Sequence, residues 1–84
     1  MSEEEFELID QLYFIKNFDQ LRQEMQIDEL NLRELIYLLS QKKWLKCLLN
    51  EREIEILNRD FFIEQYKNLS FNATKEGLKA HHNI

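Results

Sequence analysis

His81, His82 and Cys47 are the residue types in this chain that most often hold metal or act as nucleophiles. Their spacing argues against both. Zinc on a helix takes histidines at i and i+4, on one face; adjacent histidines point apart. Cys47 lies in the apolar run Trp44, Leu45, Cys47, Leu48, Leu49, where a thiol acts as a small hydrophobe rather than a nucleophile. There is no second cysteine for a disulfide, no glycine-framed carboxylate pair and no phosphate-binding loop. The expectation is a protein that is not an enzyme, with no cofactor and no metal, its histidines part of a surface tail.

The remaining chemistry is electrostatic. Net charge is −5 over 84 residues. Residues 1–30 carry nine acidic groups against Lys16 and Arg22, whereas residues 31–84 carry seven acids and nine bases. Nucleic-acid binding draws most of its affinity from cations that displace phosphate counterions. The overall field is wrong for that, so only a local patch in the second half could serve.

With 44% hydrophobic residues, six Phe, three Tyr and one Trp, the chain has material for one core. Domains this small are marginally stable, and an exposed apolar face favours a partner, a homodimer being the simplest. The chain has no proline and one glycine, no low-complexity stretch and no repeat, so residues 1–84 read as a single domain. A lone cysteine, the absence of a signal-like start and the absence of a membrane-length apolar run point to the cytoplasm and no membrane.

These side chains must be positioned by helices first. Ser2 is a candidate N-cap, Glu3 to Glu5 suit the positive end of a helix dipole, and Phe6, Ile9, Leu12 and Tyr13 form an inward stripe of a helix ending near Lys16. Leu8 and Ile15 widen that stripe, as a dimer seam or a broad core would. Asn17 with Gln20 makes a capping box for a second helix facing Phe18, Leu21 and Met25 inward. From Leu21 the apolar residues continue as Met25, Ile27, Leu32, Leu35, Ile36, Leu39, Trp44 and Leu45. That uneven spacing predicts two helices around a tight turn plugged by Ile27. Asp28 and Asn31 compete to cap the second of these, which ends near Gln41–Lys43.

Residues 44–49 then read as a strand. Residues 50–68 fit either a long hairpin excursion or an inserted amphipathic helix with Ile54, Leu57 and Phe61 on one face. Leu69 to Ala73 reads as a second strand. Thr74 caps a closing helix from Lys75 to about His82, with Gly77 inside it.

Two stretches resemble the winged helix-turn-helix domains of small bacterial transcription regulators. One is Leu21–Leu45, with helix, turn, second helix and first wing strand. The other is Ser70-Phe-Asn-Ala-Thr-Lys-Glu-Gly77, similar to the segment that ends the wing in that family. The resemblance implies an α+β, mostly helical fold: a three-helix core, a wing of two or three strands and a C-terminal helix. Gln26 and Lys43 depart from it, standing where the family often has glycine in a left-handed conformation. A plain helical bundle is the alternative.

The resemblance further implies a DNA-binding, transcription-regulating, homodimeric protein whose second turn helix exposes Glu29, Leu30, Asn31, Arg33, Glu34, Tyr37, Ser40 and Gln41. Asn31 and Arg33 would read base edges, Tyr37 or Ser40 would touch phosphate, and Lys42, Lys43, Lys46 and Arg52 would hold the backbone. Asp28, Glu29 and Glu34 oppose phosphate at the same end. Taken singly, Asn31 and Asp28 are caps, Arg33 and Glu34 solvated surface, and the lysines complements to the helix dipole. The competing function is a protein-interaction module without DNA binding, suggested by the acidic first thirty residues and the aromatics Phe61, Phe62, Tyr66 and Phe71.

Overall fold

Ser2 opens the first helix through a complete capping box. Its hydroxyl accepts the Glu5 N–H at 3.1 Å, and the Glu5 carboxylate accepts the Ser2 N–H at 2.7 Å. The computed structural model describes residues 1–83, in which α1 spans Glu3–Gln11. It therefore ends about a turn short of Lys16, and the reason is tertiary. The Leu12 carbonyl is taken by the Ala73 N–H at 2.9 Å and the Asn72 side-chain amide at 2.8 Å. Lys16–Asn17 instead form a short strand, β1. Leu8, Ile9 and Leu12 face the core, whereas Phe6 and Tyr13, expected in the inward stripe, are exposed.

The second helix, α2 (Phe18–Met25), starts from the Asn17–Gln20 box with both bonds made, at 2.8 and 2.9 Å. It stops at Gln26, whose φ of 53° is left-handed. Two residues later Asp28 accepts the Asn31 N–H at 3.2 Å and starts α3 (Glu29–Gln41), so Asp28, not Asn31, is the cap. The chain thus breaks between two helices where the apolar spacing requires it. Leu32, Ile36 and Leu39 of α3 are fully buried against Leu21 and Phe18 of α2 in one core cluster. Lys43, φ 65°, turns the chain out of α3.

Strands β2 (Leu45–Leu49) and β3 (Arg52–Ile54) form a hairpin whose two loop residues, Asn50 and Glu51, both have positive φ, as a type I′ turn demands. Strand β4 (Ser70–Ala73) returns between β1 and β2. The sheet order is β1-β4-β2-β3, all antiparallel, with Cys47 opposite both Phe71 and Ile54. This sheet rules out the plain helical bundle. The fold is α+β and 58% helical.

Between β3 and β4 the chain makes both features posed as alternatives: the hairpin return, then a helix, α4 (Arg59–Gln65), followed by a 3₁₀ turn at Tyr66–Asn68. Asn58 caps α4 by accepting the Phe61 N–H at 2.8 Å. The helix begins too late to contain Ile54 and Leu57, which corrects the expected stripe; Phe62 and Tyr66 are buried instead, and Leu57 is 80% exposed. Thr74 caps α5 (Lys75–His82) through the Gly77 N–H at 3.0 Å. No helix among the described residues is long and apolar enough to cross a membrane.

Candidate functional site

Helix α3 carries a row at i, i+4 and i+8, Glu29–Arg33–Tyr37, that turns toward α4 and the turn after it. Glu29 accepts the Tyr66 hydroxyl and pairs with Lys67 at 3.3 Å and Arg22 at 3.4 Å. The Tyr66 hydrogen bond, then Lys67, hold its carboxyl below the usual value of 4.5. Arg33 bonds Glu34 at 3.0 Å and lies 5.7 Å from the Tyr66 ring centre, with only 19% of its side chain exposed. Tyr37 packs on Phe62 at 5.4 Å, beneath the Arg59 guanidinium at 5.0 Å. Arg59 also pairs with Glu34 and is the chief cause of that carboxyl's lowered pKa. Arg33 and Tyr37 therefore face the protein's own α4 segment.

The lysines are engaged as well. Lys42 reaches the buried Glu5 at 2.7 Å and lies 4.6 Å over the Trp44 ring. Lys43 and Lys46 meet Glu55 at 3.7 Å and Glu53 at 3.8 Å across the hairpin, along a cleft of about 450 Å³ that also takes in Ser40, Thr74 and Glu76. Asn31 gives its side-chain amide to Asp28. Arg52 has no carboxylate partner among the described residues and stands exposed beside the hairpin turn. The seven proposed DNA contacts thus fall into four groups: Asn31 at the Asp28 cap, Arg33 and Tyr37 against α4, Lys42 on Glu5, and Lys43, Lys46 and Arg52 along the hairpin. They do not form one patch.

Three expectations need correction. Ser40 is 8% exposed, its hydroxyl donating to the Tyr37 carbonyl at 2.7 Å, so it is closed to phosphate. Phe62 and Phe71 are fully buried and Tyr66 is 8% exposed, because they fill the core under β4 and α4 rather than a binding patch. The histidines converge instead of pointing apart. Their ring centres are 5.9 Å from each other, and both approach the Tyr13 hydroxyl, His81 Nδ1 at 3.2 Å and His82 Nε2 at 3.4 Å. His81 also stacks on Phe6 at 4.0 Å, which removes it from any surface tail.

Cys47 is 1% exposed, and burial pushes its thiol up to about 12, far from a reactive thiolate. Among the described residues no group of three or more His, Cys, Asp or Glu is placed to hold a metal ion.

One feature of α3 is not visible from charge. Leu30 and Leu38 are 58% and 46% exposed, with Leu35 half-buried between them. Leu35 and Leu38 line a shallow groove with Asn31, Glu34 and, from the start of α1, Ser2 and Glu4. The signal for it is the i, i+3 pair Leu35 and Leu38, hidden by the denser core stripe beside it. No family model, curated protein or solved structure matches this chain.

Proposed function

We propose that this chain is a non-catalytic, winged-helix-like interaction module whose α3 receives a partner protein. The architecture supports the winged-helix reading in its element order, in the left-handed Gln26 between α2 and α3, and in the left-handed Lys43 ahead of β2. Both left-handed residues occupy the positions where that family often carries glycine.

The observation that carries the interaction reading is the engagement of the cations on and next to α3. Arg33, Lys42, Lys43 and Lys46 each lie within 4 Å of a carboxylate, so a DNA phosphate would have to displace an acid at every contact. What α3 offers solvent is Leu30 and Leu38 among the amides Asn31 and Gln41. Leu35 and Leu38 line the groove with Glu4 at its edge, and Leu30 is exposed about two turns before Leu38 on the same helix, a surface complementary to an amphipathic helix that carries apolar anchors beside lysines or arginines. A wet acidic rim around an apolar centre is the usual arrangement of a transient protein contact.

The test is a chemical-shift titration of the isotope-labelled protein with a short synthetic helix of that pattern. Shifts centred on Leu30, Leu35 and Leu38, lost in Leu38→Asp, are the expected result. A titration that leaves those three amides unmoved defeats the proposal.

Duplex DNA is the second reading, favoured by Arg52, which has no carboxylate partner among the described residues and stands beside the hairpin turn. Surface ion pairs are weak enough, about 0–1 kcal/mol each, for phosphate to exchange with Glu53 or Glu55. Low-salt titration with a duplex should then move Arg52, Lys43 and Lys46 together. A spectrum unchanged by duplex removes this reading.

A further inference from the structure

Eight of the eleven Lys and Arg side chains lie within 4.0 Å of a carboxylate of the same chain. Among the described residues Arg52, Lys75 and Lys79 do not. Two of these three stand on one helix: Lys75, Lys79 and His82 occupy i, i+4 and i+7 of α5, all exposed. On α1, which packs beside α5, Glu3, Glu7 and Asp10 occupy i, i+4 and i+7, also exposed. Of these acids only Asp10 meets a basic side chain among the described residues, the His81 imidazole at 3.4 Å. Glu3 and Glu7 of the acidic row and Lys75 and Lys79 of the basic row thus have no ion-pair partner among the described residues.

The rows come together at an aromatic seam. Asp10, the end of the acidic row, touches His81, and His82, the end of the basic row, touches Tyr13. Phe6 stacks on His81 between them, and Phe6 and Tyr13 remain 36% and 41% exposed. Phe14 and Ile15, directly after Tyr13, are 78% and 57% exposed.

We propose that this α1–α5 face is the contact surface of a two-fold dimer of the chain. The Glu3–Glu7–Asp10 row of each copy faces the Lys75–Lys79–His82 row of the other, around Phe6 and Tyr13. A two-fold contact brings one patch against itself, so a patch of a single sign would repel its copy. A patch with both signs on separate helices is self-complementary. Each row runs over seven residue steps, about 10 Å of helix, so the rows match along their length. Exposed aromatics at the centre supply the apolar anchor.

Size sets the strength. A contact of standard size takes about 800 Å² from each partner, about 15% of this molecule's 5437 Å² surface. The two helices of this face have nine and eight residues, so the contact is expected to be small and its population to depend on concentration. The inference does not rest on the α3 reading.

Sedimentation of the full chain over micromolar to submillimolar concentration tests it. The wild type is expected to pass from monomer to dimer, less readily at high salt. Lys75→Glu with Lys79→Glu makes both rows acidic, and Glu3→Lys with Glu7→Lys makes both basic. Each double variant alone should dimerise at least about tenfold more weakly. Mixed, they should form a heterodimer of wild-type strength, because both row-to-row contacts are then restored. A wild type that stays monomeric, double variants that still associate, or a mixture that does not recover overturns the proposal. If circular dichroism shows a double variant unfolded, the salt dependence of the wild type decides: association unchanged by salt overturns it.

Discussion

A Cβ placed on Gly77 would lie 1.9 Å from the Trp44 carbonyl oxygen and 2.8 Å from its carbon. The chain's one glycine is therefore where α5 lies directly on the backbone that leads into β2. The Thr74 N–H, donating to that same Trp44 carbonyl at 3.0 Å, and the Thr74 hydroxyl, bonded to the Lys43 carbonyl, fix the approach from the next turn. Alanine in an exposed helix interior would gain about 1 kcal/mol over glycine. Here Gly77→Ala should reverse the sign and cost about 3 kcal/mol or more, since backbone atoms cannot step aside. Urea unfolding midpoints measure it; a variant as stable as wild type would show that α5 is not held as described.

Gln26 and Lys43 predict the opposite response. Both adopt left-handed φ, 53° and 65°, that costs a residue with a Cβ about 1 kcal/mol. Gln26→Gly should stabilise the fold by about 0.5–1 kcal/mol, after the glycine's larger unfolded-state entropy is counted. Lys43→Gly should do nearly as well, because the Lys43–Glu55 pair it removes is about two-thirds exposed on both sides. The two sites share no partner, so the gains in thermal midpoint should add.

What the sequence discloses follows range. Caps are legible because a side chain and an N–H three residues apart decide them: Ser2, Asn17, Asp28 and Thr74 all cap as their residue types imply. The break at Gln26 is legible because the apolar spacing tolerates no continuous helix. The early end of α1 is not, since it depends on Asn72, 60 residues away, capturing the Leu12 carbonyl. The candidate site follows the same rule. Lys42, Lys43 and Lys46 are recognisable as cations, but Glu5, Glu55 and Glu53 become their partners only once helix and hairpin are folded. Of the exposed leucines of α3, Leu30 is legible as a surface position, whereas Leu38 is concealed by a core stripe of the same residue type.

The Glu5–Lys42 pair should make stability depend on acid. Hydrogen bonds from Lys42 and the Ser2 backbone hold the Glu5 carboxyl below its ordinary 4.5. A depressed carboxyl stabilises the fold above the unfolded value and loses that contribution as pH falls through the folded one. Lys42→Met should cost about 1 kcal/mol at neutral pH, modest because Lys42 is partly exposed and solvent screens the pair. The gap between wild type and variant should stay constant down to about pH 4.5 and close below it. Thermal melts across that window check the claim, and a pH-independent gap would contradict it.

Tyr66→Phe isolates the contact between the 3₁₀ turn and the start of α3. The hydroxyl donates to Glu29 and is the largest cause of that carboxyl's lowered pKa. Removing it should raise the Glu29 titration midpoint toward 4.5 while Lys67 and Arg22 remain, so the return is incomplete. Side-chain carboxyl shifts followed against pH read this directly. A midpoint that does not move would mean the hydroxyl does not bond Glu29 in solution.

Phe62 decides whether α4 is part of the core or an ornament on the β2–β3 hairpin. Its ring is fully buried, 5.4 Å from Tyr37 and 6.0 Å from Tyr66, so the one helix inserted between β3 and β4 is anchored on the row of α3 that also carries Glu29 and Arg33. Phe62→Ala should cost about 3–5 kcal/mol, most of the stability of a domain this small. Phe62→Leu, which keeps most of the volume, should cost far less. Hydrogen exchange adds the structural readout: in Phe62→Ala the amides of α4 and of Tyr66–Asn68 should lose protection together with α3. Selective loss in α4 alone, with little change in the unfolding midpoint, would mean that α3 is held without it and that Arg33 and Tyr37 are free to face outward.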